Sequence, residues 1–448
     1  MRIAVVGGVA AGTSAAAKAR RVDPDAEIVL FDKGNDISYA GCGLPYYISG
    51  LIPEREQLIV NTAESFKEKY NVDVRLKHEV TEIDTIINML HYKNVDTGEE
   101  GVVGYDKLII STGARPVKPP IPGIDLDNIF TLRTVDSADE IKKTAQKDQI
   151  KEVAIIGAGL IGLEMAESFS KLGLKVKVIE MQPNVLPQFS GEMAEIVEEH
   201  LRKKGVELIL NDGVKEFLGG QKVEKVITQS GREIKADMVL LSIGVKPEVT
   251  LAEKSGVELG ETGAIKVNNR METNIKDIYA AGDCAESTDI VSGESVWVPL
   301  GSTANKQGRV AGENAAGGNY EHKGIQKTGI TKIFDLTAAT TGLSEKEAKE
   351  SGFDPLTIKI KDSNHAGYYP GVSKLNIKGV FDKKSRRLLG AEIIGGEGSD
   401  KRIDVLSTAI YSELKAEDLF QIDLAYAPPY SSPKDSAAVL GMVAEKKL

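Results

Sequence analysis

The chain has few cysteines: of its 448 residues only Cys42 and Cys284 are of this type, which excludes a disulfide framework and the paired CxxC clusters of zinc modules. Its five histidines, at 78, 91, 200, 322 and 365, do not stand at a metal-ligand spacing, so no metal site is expected. No stretch approaches the ~18 uninterrupted apolar residues of a membrane span. Cationic excess is missing as well. The 56 Lys and Arg are outnumbered by 66 Asp and Glu, a net charge of −10, which removes the counterion-release term that drives nucleic-acid binding. Met1-Arg2-Ile3-Ala4-Val5-Val6 runs directly into a predicted strand, without the longer apolar region of a signal peptide. What remains is an acidic chain with 41% hydrophobic residues, ample for a core. At ~150 residues per domain it suggests about three domains, and a cytoplasmic location is the expectation.

Glycine, at 45 residues, is abundant and clustered. Ile3-Ala4-Val5-Val6 precedes Gly7-Gly8-Val9-Ala10-Ala11-Gly12 and an Ala-rich run to Arg21. Val153-Ala154-Ile155-Ile156 precedes Gly157-Ala158-Gly159-Leu160-Ile161-Gly162 and a helical run to Leu172. Each reads as a buried parallel strand, a tight glycine turn and a helix. A second strand follows each helix and ends in an acid. Asp32 comes 25 residues after Gly7, and Glu180 comes 23 after Gly157, near the ~20 of a dinucleotide fold. The first copy departs from the strict pattern, since Val9 occupies the middle glycine position. Further strands run into Ser111-Thr112-Gly113, into Ser242-Ile243-Gly244 and into Gly282-Asp283. The first two bracket the second unit as if it were inserted into the first. The predicted division is 1–112 with 245–323, then 113–244, and from 324 an α+β domain with strands such as Lys374–Ile377 and Leu388–Ile394 and a helix at Lys401–Tyr411.

Glycine turns of this kind set backbone N–H groups and a helix N-terminus against a pyrophosphate, and the trailing acid accepts hydrogen bonds from a ribose. Candidate nucleotide contacts are therefore Gly7, Gly8, Ala10, Ala11, Gly12, Asp32, Lys33, Thr112, Gly113, Gly282 and Asp283 at the first site, and Gly157, Gly159, Leu160, Ile161, Gly162, Glu180 and Gly244 at the second. A carboxylate at Glu180, followed by Met181-Gln182-Pro183-Asn184 without Arg or Lys, favours NADH over NADPH. Two dinucleotides in one chain suit a hydride donor facing a flavin, which hands electrons to a sulfur. That sulfur is read as Cys42, in Ser38-Tyr39-Ala40-Gly41-Cys42-Gly43-Leu44-Pro45-Tyr46-Tyr47, soon after the first acid. A helix opening at Cys42 predicts a low-pKa thiolate. The position five residues on is Tyr47 and not a second cysteine, and Cys284 reads as packing beside the nucleotide. Cys42 therefore cycles against an extrinsic sulfur or oxygen species. Lys18, Arg20 and Arg21 form a basic cluster suited to a phosphorylated carrier.

With these motifs the chain resembles, over nearly its whole length, the single-cysteine branch of the pyridine nucleotide-disulfide oxidoreductases. The Ser38–Tyr47 motif, Gly282-Asp283, Lys401-Arg402-Ile403-Asp404-Val405-Leu406 and Ala425-Tyr426-Ala427-Pro428-Pro429-Tyr430-Ser431 carry the resemblance. It implies FAD in the first site, NAD(P)H in the second and a C-terminal domain that forms a homodimer. It also implies that Tyr368 and Tyr426 reach the partner's Cys42, and that coenzyme A is a bound thiol contacted by Lys18, Arg21, Ser38 and Lys434. Relatives that reduce peroxide or oxygen commonly carry a histidine where Ala10 stands, which tilts the expectation toward a small disulfide such as coenzyme A disulfide. An NADH oxidase, a persulfide or polysulfide reductase and a redox-sensing nucleotide-binding protein are the rival readings. Gly41 and Tyr70 replace residues that the family uses to contact coenzyme A.

Overall fold

A computed structural model describes all residues, Met1–Leu448. The strand β1 (Arg2–Val6) lies at the centre of a five-stranded parallel sheet. Lys107–Ile110 and then Ile278–Ala280 lie on one side, and β2 (Glu27–Phe31) and then Asp73–Arg75 on the other. Ile3, Ala4 and Val5 are fully buried, as expected of a parallel strand covered on both faces. A second parallel sheet repeats the plan, with Glu152–Ile156 central, flanked by Lys175–Ile179 and Met238–Leu241 and then by Glu207–Ile209 and Ile129–Thr131.

The second sheet is complete before the chain returns to the first at Ile278–Ala280. The outgoing and returning segments, Ala114–Pro116 and Val245–Pro247, pair antiparallel with each other. The C-terminal sheet is antiparallel, in the order Gly329–Ile333, Leu336–Gly342, Leu388–Gly395, Lys374–Asp382 and Pro355–Ser363. Helices Ser399–Tyr411 and Ser436–Glu445 close a core over it that includes Phe381, Ile393, Ile403, Leu406 and Leu440. No helix is long and apolar enough to cross a membrane.

Two packing features position the site. The helix α1 (Ala10–Val22) crosses Gly301–Ala315 with unusually close backbones: a Cβ on Gly308 or Gly312 would overlap the carbonyls of Ala11 and Ala15. The short helix α2 (Leu44–Ile48), which follows Cys42, belongs by sequence to the first unit but is docked on the second. Leu44, Tyr47 and Ile48 share a core with Leu163, Met165 and Phe169 of the helix Leu160–Lys171. The Ser168 hydroxyl donates to the Pro45 carbonyl at 2.8 Å.

Candidate active site

The two glycine turns are built alike. Gly7 and Gly157 each take φ = +102°, a left-handed region open to glycine. Ser111 Oγ donates to the carbonyls of Val6 and Gly7 at 2.8 and 3.0 Å. Ser242 Oγ donates to those of Ile156 and Gly157, both at 3.0 Å. A Cβ on Gly12 or Gly162 would overlap the carbonyl of Gly7 or Gly157, so the helix after each turn approaches as only glycine allows. The trailing acids also match. Asp32 accepts from the Gly8 and Gly34 amides, both at 2.7 Å, and Glu180 accepts from Ala158 and Gln182 at 2.7 and 2.8 Å. Burial pushes the Asp32 carboxyl upward even though the Gly34 and Gly8 amides oppose the shift.

Both turns open on one continuous cleft of about 2600 Å³. From the first site Gly7, Ala10, Ala11, Asp32, Lys33, Thr112, Gly113, Gly282 and Asp283 line it. From the second come Gly157, Gly159, Leu160, Ile161, Glu180 and Gly244, and Cys42 joins them. Gly8, Gly12 and Gly162 lie behind the lining, where they shape the turns. The cleft would hold two extended dinucleotides, and the cradles that a Cβ would fill fit FAD and NAD(P)H.

Sequence reasoning missed three features of this cleft. Arg133 lines it and pairs with Asp283 at 3.1 Å. Glu164, two residues past Gly162, also lines it and accepts from Thr331 Oγ1 at 3.0 Å across the boundary to the C-terminal sheet. The start of the helix Gly301–Ala315 borders it through Leu300, Gly301 and Ala304. The small residues at 304, 308, 311 and 312 were the readable signal for that helix.

Cys42 is exposed to the cleft, whereas Cys284 is fully buried with its sulfur against the carbonyls of Ala281 and Ile110 at 3.4 and 3.5 Å. Cys42 does sit in a tight turn that runs into a helix, Gly41–Gly43 then α2. The expected low thiol pKa does not follow from this placement. Burial pushes the thiol above its ordinary value, Glu164 and Asp283 push the same way, and Arg133 only partly opposes them. The helix of 5 residues offers little dipole. Burial likewise raises Glu164, with Thr331 opposing and Glu167 adding to the shift.

The basic cluster is partly occupied. Lys18 pairs with Glu313 at 2.9 Å. Arg20 donates to the carbonyls of Tyr70 and Asn71 at 2.9 and 2.8 Å and to that of Pro24 at 2.5 Å. Arg21 stays exposed over the Tyr70 ring, 5.6 Å from its centroid. Ser38 takes φ = +49° and accepts from Asn61 Nδ2 at 3.0 Å. Tyr368, Tyr426 and Lys434 are exposed and lie outside their own chain's cleft, and the neighbouring Tyr368 phenol pushes that of Tyr426 above its ordinary value.

Two dinucleotide cradles and a sulfur on one cleft define a nucleotide-dependent redox enzyme. Residues 1–308 match the model of the pyridine nucleotide-disulphide oxidoreductases, and residues 329–437 match the dimerisation domain of the same proteins. The chain belongs to this family, whose cofactors are FAD and NAD(P)H. It is 38% identical over 449 residues to an NADH oxidase of Methanocaldococcus jannaschii, with 100% of this chain and 99% of that protein covered. It is 40% identical to a CoA-dependent NAD(P)H sulfur oxidoreductase of Pyrococcus furiosus, covering 99% and 98%. Identity to the coenzyme A disulfide reductase of Staphylococcus haemolyticus is 37%, covering 98% of each. The reduced CoADR-RHD of Bacillus anthracis superposes with a TM-score of 0.97 at 41% identity, over 99% of this chain and 80% of that one.

Proposed function

We propose that this protein is a homodimeric reductase of small disulfides, coenzyme A disulfide foremost, driven by NADH. The observation that carries the reading is a single exposed sulfur on a cleft shared by two dinucleotide cradles, with Tyr47 where a second cysteine would stand and Cys284 buried. FAD belongs in the first cradle, built from 1–112 and 245–323, and NADH in the second, built from 113–244. The flavin supplies the conversion of a two-electron hydride into electrons that a sulfur accepts. Residues 324–448 form the dimerising domain.

The chain's own groups do the rest. Asp32 and Glu180 face the two ribose positions, and Glu180 repels a 2′-phosphate. The Cys42 thiolate attacks one sulfur of the substrate disulfide. That S–S bond breaks, a mixed disulfide forms on Cys42, and the departing thiolate takes a proton from the partner's Tyr426, beside the partner's Tyr368. Two electrons originating in NADH then cleave the mixed disulfide, which restores the Cys42 thiolate and releases the second product as a thiolate; solvent protonates that product and the partner's Tyr426 phenolate. Arg21, Ser38 and the partner's Lys434 are the phosphate and pantetheine contacts. Lys18 joins them only by leaving Glu313. The resting environment of Cys42 opposes ionisation, with burial, Glu164 and Asp283 acting against Arg133, so the thiolate draws its stabilisation from positive charge or hydrogen-bond donors and not from the substrate's own phosphates.

Reduction of a persulfide or polysulfide is the second reading, favoured by the sulfur oxidoreductase relative at 40% identity. It uses the same sulfur and electron path. Free, unpaired cysteines fit a reducing, cytoplasmic setting. The deciding experiment is anaerobic NADH oxidation with coenzyme A disulfide, with polysulfide, and with oxygen alone in a parallel aerobic run. Rapid turnover with coenzyme A disulfide supports the first reading, and turnover only with oxygen overturns both.

A further inference from the structure

Arg402 is the largest fully buried side chain in the molecule, 1% exposed, on the inner face of the helix Ser399–Tyr411. It is far in sequence from both glycine turns, and the reaction outlined above does not use it. Its guanidinium joins two loops. Nη2 donates to the carbonyl of Asn364 at 2.8 Å and contacts that of Tyr430 at 3.3 Å, while pairing with Asp435 Oδ2 at 2.8 Å. Nη1 donates to the Gly398 carbonyl at 3.2 Å. Gly398 leaves room for this group, because a Cβ there would press on Nη1. Asp435 is fixed in turn by the Ser431 hydroxyl at 2.8 Å and the Ala437 amide at 3.0 Å.

The two loops are those that carry the tyrosine pair. Asn364 closes the first at its base, with its amide donating to the Ser373 carbonyl at 3.0 Å and its Oδ1 accepting from the Ser373 amide at 2.8 Å. Tyr368 stands at the tip of this loop, 76% exposed. Tyr426 and Tyr430 flank the second. Apart from Arg402, the loops meet through the Ala366 amide and the Pro428 carbonyl at 3.3 Å. Two exposed phenols on irregular backbone have little of their own to fix them, whereas a planar, five-donor cation holds several acceptors in one fixed geometry. A lysine offers a point charge and cannot span the same acceptors.

We propose that Arg402, with Asp435 as its counter-charge, is the positioning residue that locks the loops of Tyr368 and Tyr426 into one rigid unit, so that the phenol pair is presented in fixed register to the partner's Cys42. This inference rests on the reading in which those tyrosines serve the disulfide step, and it adds the group that aims them. Displacing reacting groups by about an ångström costs on the order of 100-fold in rate, so loosening the clamp falls on the disulfide step alone.

The test uses the FAD-loaded dimer carrying Arg402→Lys, Tyr426→Phe or both. With Arg402→Lys we expect unchanged flavin content and dimer mass, an unchanged rate of flavin bleaching by NADH, and disulfide turnover lower by about 10- to 100-fold. We also expect the double variant to lose little beyond the worse single variant. Turnover at the parent rate, equal loss of the bleaching step, or losses that multiply in the double variant would overturn the inference. Parent-rate turnover by Tyr426→Phe alone would instead overturn the tyrosine reading on which it stands. Should Arg402→Lys fail to fold, Ser431→Ala removes a hydroxyl that donates to Asp435 at 2.8 Å and accepts from Arg402 Nη2 at 3.4 Å. Its turnover should fall by about 2- to 10-fold with bleaching intact, and no change, or an equal loss in both, would count against the clamp.

Discussion

Each acid in the cleft has a separable effect on the residues around it. Glu164 and Asp283 hold the Cys42 thiol above its ordinary range together with burial, against Arg133. Removing one negative charge stabilises the thiolate, so Glu164→Gln should lower the pH midpoint of Cys42 alkylation by iodoacetamide and Arg133→Ala should raise it; movement in the opposite directions would contradict this electrostatic account. Cys42→Ser should abolish disulfide reduction while NADH still bleaches the flavin, and a mutant that retains parent turnover would refute a covalent role for this sulfur. On the proposed reading, Glu180→Ala removes the charge that opposes a 2′-phosphate. It should narrow the NADH over NADPH preference, itself about 5- to 150-fold or ~1–3 kcal/mol, as read by the ratio of kcat/KM values. Asp32, Glu180 and Cys42 were legible in the sequence because motif spacings place them, whereas Glu164 was not. Nor was the sign of the thiol shift. Glu164 reaches Cys42 only through the docking of α2 on the helix Leu160–Lys171, a contact between elements far apart in sequence.

At the scale of elements, strand-turn-helix units were readable because glycine and hydrophobic pattern act locally. Elements whose form depends on distant partners were not. The strand expected at Lys374–Ile377 continues to Asp382 because Lys378, a residue that ordinarily ends a buried run, is paired at 3.4 Å with Glu192 and at 3.9 Å with Glu392. The helix Gly301–Ala315 escaped notice because its glycines discourage a helical reading, yet two of them permit the crossing with α1. Gly312→Val would drive a branched side chain into the Ala15 carbonyl. Overpacking of this kind costs about 1–3 kcal/mol, so a lower melting temperature is expected. Because α1 begins at the first glycine turn, FAD content should fall in parallel. Full FAD content at an unchanged melting temperature would mean that the two helices separate freely.

At the scale of the whole molecule, a single chain carries its sulfur and its tyrosines in separate places. Cys42 lines the cleft between the dinucleotide units, whereas Tyr368 and Tyr426 project from the C-terminal domain, exposed and away from that cleft. Residues 329–437 match a dimerisation domain, and on the proposed reading a second copy brings them together. The arrangement has a stoichiometric consequence. In a heterodimer of one Cys42→Ser chain and one Tyr426→Phe chain, sites built in trans place both lesions in a single site. The other site combines an intact Cys42 with an intact Tyr426. Such a heterodimer, purified through two different affinity tags, should show half of the parent turnover per dimer, and each mutant homodimer should fall well below that. If each site were built within one chain, one site would lack the sulfur and the other the phenol. Turnover would then stay at or below half that of the Tyr426→Phe homodimer, and that result would rule out tyrosines acting across the dimer.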